Sequence, residues 1–161
     1  MNFFTKLQQR DDAKNPIRVG MIGAGKFGTM FLAQAIRIPG IHIVGITDLN
    51  PANALSNLAY VGWPYNAYGA LSLDDAIKTG TSFVSDDWQA LIAHPTIDLI
   101  VECTGDPVAA VQHILTAFNN GKHVINATVE ADAFCGPGMS QAAAEAGVVY
   151  SMAYGDQPGL T

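Results

Sequence analysis

Cysteines, basic residues and long apolar runs are all scarce in this 161-residue sequence, and each scarcity removes a class of function. The two cysteines, Cys103 and Cys135, stand 32 residues apart, with no Cys-x-x-Cys pair and no adjoining pair of histidines. That spacing indicates neither a disulfide framework nor a zinc site, and a reducing cytoplasm is the expected setting. Lys and Arg total 8 against 14 Asp and Glu, for a formal net charge of −6. Scattered basic residues in an acidic chain argue against nucleic acid as a partner, because phosphate-rich surfaces are held by clustered cations. The opening Met1-Asn2-Phe3-Phe4 soon meets Lys6, Arg10, Asp11 and Asp12, which leaves no apolar stretch for a signal peptide, and no membrane span is expected elsewhere. His42, His94, His113 and His123 are isolated in sequence, and no Ser/His/Asp or metal-ligand constellation stands out.

What the chain does have is apolar content, 49% against 14% charged residues. A single domain of this length buries about two-thirds of its unfolded surface. Residues 1–15 read as a polar arm or helix, 16–154 as the folded domain, and 155–161 as the start of a further C-terminal domain. Short apolar or β-branched runs at 17–22, 41–48, 81–85, 97–103, 123–126 and 148–151 predict strands. Between them, apolar spacings of three and four residues, with caps and prolines, predict helices at 26–38, 51–60, 72–79, up to residue 93 after Asp86-Asp87, 107–120 and 137–146. Residues 62–69, rich in Gly, Pro and aromatics, read as a loop. About six strands alternating with helices give an α/β fold, a doubly wound parallel sheet of the Rossmann type with helices on both faces.

The first predicted strand runs into Gly23-Ala24-Gly25-Lys26-Phe27-Gly28, a G-x-G-x-x-G turn that opens a helix. Asp48 follows at the end of the next strand, twenty residues after Gly28. The pattern is that of dinucleotide binding. Gly23 allows the tight turn, Gly25 lets the backbone approach a pyrophosphate, and Gly28 lets helix and sheet pack closely, with the phosphates against free N–H groups and the positive helix end. Asp48 would accept the adenosine ribose hydroxyls and repel a 2′-phosphate, which favours NAD and leaves NADP as the second choice. Competing explanations are a plain strand-to-helix turn for the glycines and a helix cap for Asp48, a role for which Asn50 also competes. A second cofactor contact is expected at Thr104 and Gly105, beyond the strand ending in Glu102-Cys103, against a loop without ligand contact. Cys103 itself reads as a small core hydrophobe rather than a nucleophile.

Taken with Gly121-Lys122-His123-Val124-Ile125-Asn126, these segments resemble the nucleotide-binding domain of the homoserine dehydrogenase superfamily across nearly the whole chain. The stretch Asn126-Ala127-Thr128-Val129-Glu130-Ala131-Asp132 and the ending Gly155-Asp156-Gln157-Pro158 are most similar to its SAF-domain-containing members, which include the DXR-like reductoisomerases. The resemblance implies an NAD(P)-dependent oxidoreductase acting on an alcohol or hydroxy-carbonyl substrate, homo-oligomeric at full length, whose substrate domain and most catalytic residues follow the Gly-Asp-x-Pro segment. It also exposes a departure. Homoserine dehydrogenases place an Asn-Lys pair after this strand, the lysine assisting the reacting oxygen, where this chain has Val129-Glu130. Glu130 is thus a candidate acid/base or ligand-binding group, or else an exposed helix-start carboxylate. The alternative from another class is a dinucleotide-sensing module without catalysis.

Overall fold

In the computed structural model, which describes residues 2–153, fourteen elements order themselves around one sheet. They are α1 (Phe3–Asp12), β1 (Ile17–Ile22), α2 (Lys26–Ala35), β2 (Ile41–Thr47), α3 (Pro51–Tyr60), a 3-10 turn (Tyr65–Ala67), α4 (Leu73–Thr79), β3 (Phe83–Ser85), α5 (Trp88–Ala93), β4 (Leu99–Glu102), α6 (Pro107–Asn119), β5 (His123–Asn126), α7 (Val129–Ala146) and β6 (Tyr150–Met152). All pairings are parallel, in the order β3-β2-β1-β4-β5-β6. This is the doubly wound Rossmann arrangement, and its strand order reverses between β1 and β4. The expected further domain from residue 155 lies outside the described residues.

Successive strand residues point to opposite faces, so the sheet builds two cores. Ile22, Val44, Ile100 and Val124 pack with α5, α6 and α7 on one face. Val19, Met21, Ile43, Ile46 and Val101 pack with Leu32 of α2 and Ala54 and Leu58 of α3 on the other. On the first face Gly20 and Gly45 make room for Leu91: a Cβ on Gly45 would stand 2.4 Å from Leu91 Cδ1. The aromatic loop gains a structural role on the second face. Trp63 and Tyr68 are buried there, and the Trp63 indole donates to the Leu32 carbonyl at 2.9 Å, tying the loop to α2.

Several boundaries differ from the sequence expectation, β3 and β4 being shorter than the runs at 81–85 and 97–103. The last helix begins at Val129 rather than Pro137, so Pro137 sits inside it. A proline interior to a helix removes one backbone bond, a loss that the tertiary contacts of Ala131, Met139 and Ala143 outweigh. The last strand starts at Tyr150 rather than Val148, because the Val148 N–H donates to the Ala143 carbonyl and closes α7 behind the left-handed Gly147 (φ 68°). The first glycine-turn helix ends at Ala35, ahead of Pro39-Gly40.

Candidate dinucleotide site

The site forms where β1 and β4 end side by side, at the reversal point of the sheet. Gly23 is where the two strand ends meet backbone to backbone. It has φ +93°, and a Cβ there would stand 2.7 Å from the Cys103 carbonyl oxygen and 2.9 Å from the Thr104 nitrogen. A side chain would therefore force apart the two strand ends that make the crevice. Gly28, in the first turn of α2, faces the sheet so closely that a Cβ would meet Met21 Cε at 2.4 Å and the Gly23 oxygen at 2.5 Å.

Gly25 differs from both. Its φ is −69°, ordinary for any residue, and no atom of the described residues lies within 4 Å of an added Cβ. Nothing within the described chain calls for glycine here. An open glycine of this kind is expected where a pyrophosphate must approach the backbone. Gly25 is also the N-cap of α2, and no side chain of the described residues caps it. The first N–H groups of the helix have no carbonyl partner within α2, and Lys26 and Phe27 are exposed beside them. The residues present fit a nicotinamide dinucleotide.

The turn is held by what surrounds Ala24. Asp48 Oδ2 accepts the Ala24 N–H at 2.8 Å, while its Oδ1 accepts the Asn50 N–H at 2.9 Å. The Ala24 carbonyl accepts the Asn57 side-chain amide at 2.9 Å and the Thr29 hydroxyl at 3.0 Å. Asn50, not Asp48, caps α3, accepting the Asn53 N–H at 3.2 Å. Asp48 is half-buried, and each carboxylate oxygen keeps a lone pair after these bonds.

Across the crevice, Thr104 and Gly105 are exposed at the end of β4, with Gly105 in the left-handed region (φ 73°). Behind them lies Glu102, a fully buried carboxylate that sequence reasoning passed over. Its Oε1 accepts the Thr104 hydroxyl at 2.6 Å and the Thr104 N–H at 3.3 Å, with His113 Nδ1 at 3.4 Å. Its Oε2 accepts the Thr128 hydroxyl. His113, isolated in sequence, is buried, with its ring centroid 4.5 Å from that of Trp88. The signal available beforehand was one carboxylate at the end of a wholly apolar strand, since buried charges are rarely left without partners.

Cys103 is buried, and burial together with the Glu102 carboxylate pushes its pKa up to about 12, so it is a core group and not a nucleophile. Glu130 is exposed in the first turn of α7, with no side-chain hydrogen bond among the described residues. His42, His94 and His123 serve local structure, bonding Thr81, Thr96 and Val149 respectively. Asp74 and Asp75 lie in the first turn of α4, and Asp87 caps α5. No helix among the described residues is long and apolar enough to cross a membrane.

Residues 17–154 match the model of an oxidoreductase family with an NAD-binding Rossmann fold. The homoserine dehydrogenase of Methylobacillus glycogenes is 39% identical over 121 residues, a match covering 70% of this chain and 24% of that protein. The chain thus spans about a quarter of the length of that curated relative. Among solved structures, a homoserine dehydrogenase from Thiobacillus denitrificans superposes with a TM-score of 0.67 at 24% identity, covering 85% of this chain and 29% of that one. The biliverdin reductase of Synechocystis sp. PCC 6803, solved with biliverdin and NADP+, gives a TM-score of 0.62 at 24% identity over 85% of this chain and 37% of that one. An NAD-binding oxidoreductase from Klebsiella pneumoniae gives 0.60 at 22% identity over 86% and 34%. At such identities these structures show a common fold, and the family match supplies the rest: the chain is a nicotinamide dinucleotide-binding domain that belongs to the Gfo/Idh/MocA oxidoreductase family.

Proposed function

We propose that this domain takes the dinucleotide in its NAD form, with the pyrophosphate on Gly23, Ala24, Gly25, Lys26, Phe27 and Gly28, the adenosine ribose on Asp48, and the nicotinamide side along Thr104 and Gly105. The observation that carries this reading is Gly25, a glycine that neither its backbone angles nor its neighbours among the described residues require. Lys26 adds a cation beside the helix end. Asp48 supports the choice of NAD over NADP. Its carboxylate has acceptor capacity for ribose hydroxyls, and Leu49-Asn50-Pro51-Ala52-Asn53 supplies no arginine for a 2′-phosphate.

The bound cofactor would supply hydride transfer; the chain's residues hold and orient it. We read the whole protein as a cytoplasmic, homo-oligomeric enzyme acting on an alcohol or hydroxy-carbonyl substrate, a substrate class for which the homoserine dehydrogenase of M. glycogenes is the guide. Within that range, Val129-Glu130 in place of Asn-Lys and the Gly155-Asp156-Gln157-Pro158 segment favour the SAF-domain-containing, DXR-like group over homoserine dehydrogenase proper. Glu130, exposed on the first turn of α7, is the candidate to meet a substrate hydroxyl there. Parallel titrations with NADH and NADPH test the cofactor assignment. Tighter binding of NADH supports it, tighter NADPH binding removes the NAD preference, and binding of neither removes the reading altogether.

A further inference from the structure

The two helices that start at the crevice have opposite electrostatic preparation. At α2 the opening N–H groups are left without a side-chain cap among the described residues. At α6 the donors are spent. The Thr104 N–H and hydroxyl go to Glu102, the Gly105 N–H to Thr128 Oγ1 at 3.0 Å, and the Asp106 N–H to Thr104 Oγ1 at 3.3 Å. Pro107 has no N–H, and the Val108 and Ala109 N–H groups both donate to Asp106 Oδ1, at 2.9 and 3.1 Å. From residue 104 to residue 109, every backbone donor is satisfied within the chain. That leaves the exposed loop at Thr104 and Gly105 no free backbone N–H, so its remaining polar capacity is that of acceptors, with the exposed carboxylate of Asp106 beside them.

We propose that Glu102 is a positioning residue that, with Thr128, turns the donors of Thr104 and Gly105 inward and makes this side of the crevice an acceptor surface for ribose hydroxyls. The proposal rests on the dinucleotide reading above and deepens it. A phosphate needs donors and finds them only on the α2 side. A ribose presents O–H donors and finds acceptors on the α6 side. The division sets the phosphates against α2 and a ribose against the start of α6. Burial gives Glu102 this control. A carboxylate with no access to water must have its oxygens filled by protein donors, so it draws Thr104 and Thr128 toward itself. Thr128, buried at the N-cap of α7, passes the constraint on: its hydroxyl donates to Glu102 and accepts from Gly105. The Thr128 N–H is fixed in turn by Asn126 Oδ1 at 2.9 Å, so β5 and α7 share the arrangement.

The test compares three ligands that end at successive groups: ADP, ADP-ribose and NADH, titrated by calorimetry into the full 161-residue chain and its variants. Glu102→Gln replaces one acceptor by an NH2 donor that cannot receive a threonine hydroxyl. Thr128→Val keeps the shape of the side chain and frees the Gly105 N–H, while Thr128→Ser restores the hydroxyl. For Glu102→Gln and Thr128→Val the expected result is a loss of about tenfold for ADP-ribose and NADH, the size of one good hydrogen bond. ADP should stay within about twofold, and Thr128→Ser should regain most of the loss. Equal loss for all three ligands, or no loss in Thr128→Val, overturns the proposal and leaves the dinucleotide reading intact. If Glu102→Gln does not fold, the Thr128 pair decides alone. A wild-type chain that binds none of the three ligands overturns both.

Discussion

Asp48 Oδ2 accepts the backbone N–H of Ala24 at 2.8 Å, joining residues 24 positions apart. The carboxylate just after β2 therefore builds the glycine turn as well as serving, in the proposed reading, as the ribose acceptor. Asp48→Asn is expected to weaken NADH by about tenfold, to reduce the preference over NADPH, and to cost about 1 kcal/mol of stability from the poorer bond to Ala24. Titration with both cofactors and a urea melt separate the two effects. An unchanged NADH/NADPH ratio would remove Asp48 from cofactor choice.

Gly25 and Gly28 should behave oppositely on substitution by alanine. Gly25→Ala meets no described atom within 4 Å and no backbone strain, so its melting temperature should match wild type while NADH affinity falls at least about tenfold. Gly28→Ala drives a methyl into Met21 Cε and the Gly23 oxygen, and should lose about 1–3 kcal/mol of stability. Calorimetry with and without NADH reads both. Wild-type NADH affinity in Gly25→Ala would be fatal to the pyrophosphate assignment.

Cys103 gives an alkaline signature. Its pKa is raised from 9.0 to about 12 by burial first and by the Glu102 carboxylate second. Above pH 9 the unfolded thiol ionises while the folded one keeps its proton, so the folded state binds more protons and stability falls as pH rises toward 12. Cys103→Ala should make that fall shallower by about 1.4 kcal/mol per pH unit. Burial also pushes the Lys122 pKa down, which acts in the opposite direction, but it is common to both proteins and cancels in the comparison. In the native protein Ellman's reagent should modify the partly exposed Cys135 well before Cys103.

Lys122 is buried at the opposite, N-terminal end of the sheet, where its ammonium donates to the carbonyls of His94 and Ile97, both at 2.8 Å. Lys122→Met leaves those carbonyls without their charged donor and should destabilise by about 1–3 kcal/mol. Being remote from the crevice, it should leave NADH affinity unchanged at a temperature where the variant is folded. A parallel loss of affinity would show that the two ends of β4 and β5 are coupled.

The strand and helix order, the parallel sheet and the glycine turn were legible in the sequence because they rest on local patterns. Apolar runs bounded by turn residues, three- and four-residue spacings and Pro after a capping residue each act over a few neighbours, and β1, α3 and β5 have the bounds those patterns imply. Pro137 misled because its local preference for a helix start was overridden by packing on both sides of it. Packing is not written in a window of ten residues.

Which glycines the fold itself requires and which it leaves open could not be read from G-x-G-x-x-G, where all three look alike. Only the folded structure sets Gly23 against Cys103 and Gly28 against Met21 while leaving Gly25 open. Likewise Glu102, Thr104, His113 and Thr128 come from one strand end, a loop, α6 and the start of α7, and nothing in their spacing announces a cluster. The sequence by itself determined the elements, the sidedness of the sheet and the class of cofactor, because periodicity and local turns encode them. The tertiary structure alone decided how the donors and acceptors of the crevice are shared, because a buried carboxylate chooses its partners only after distant segments have met.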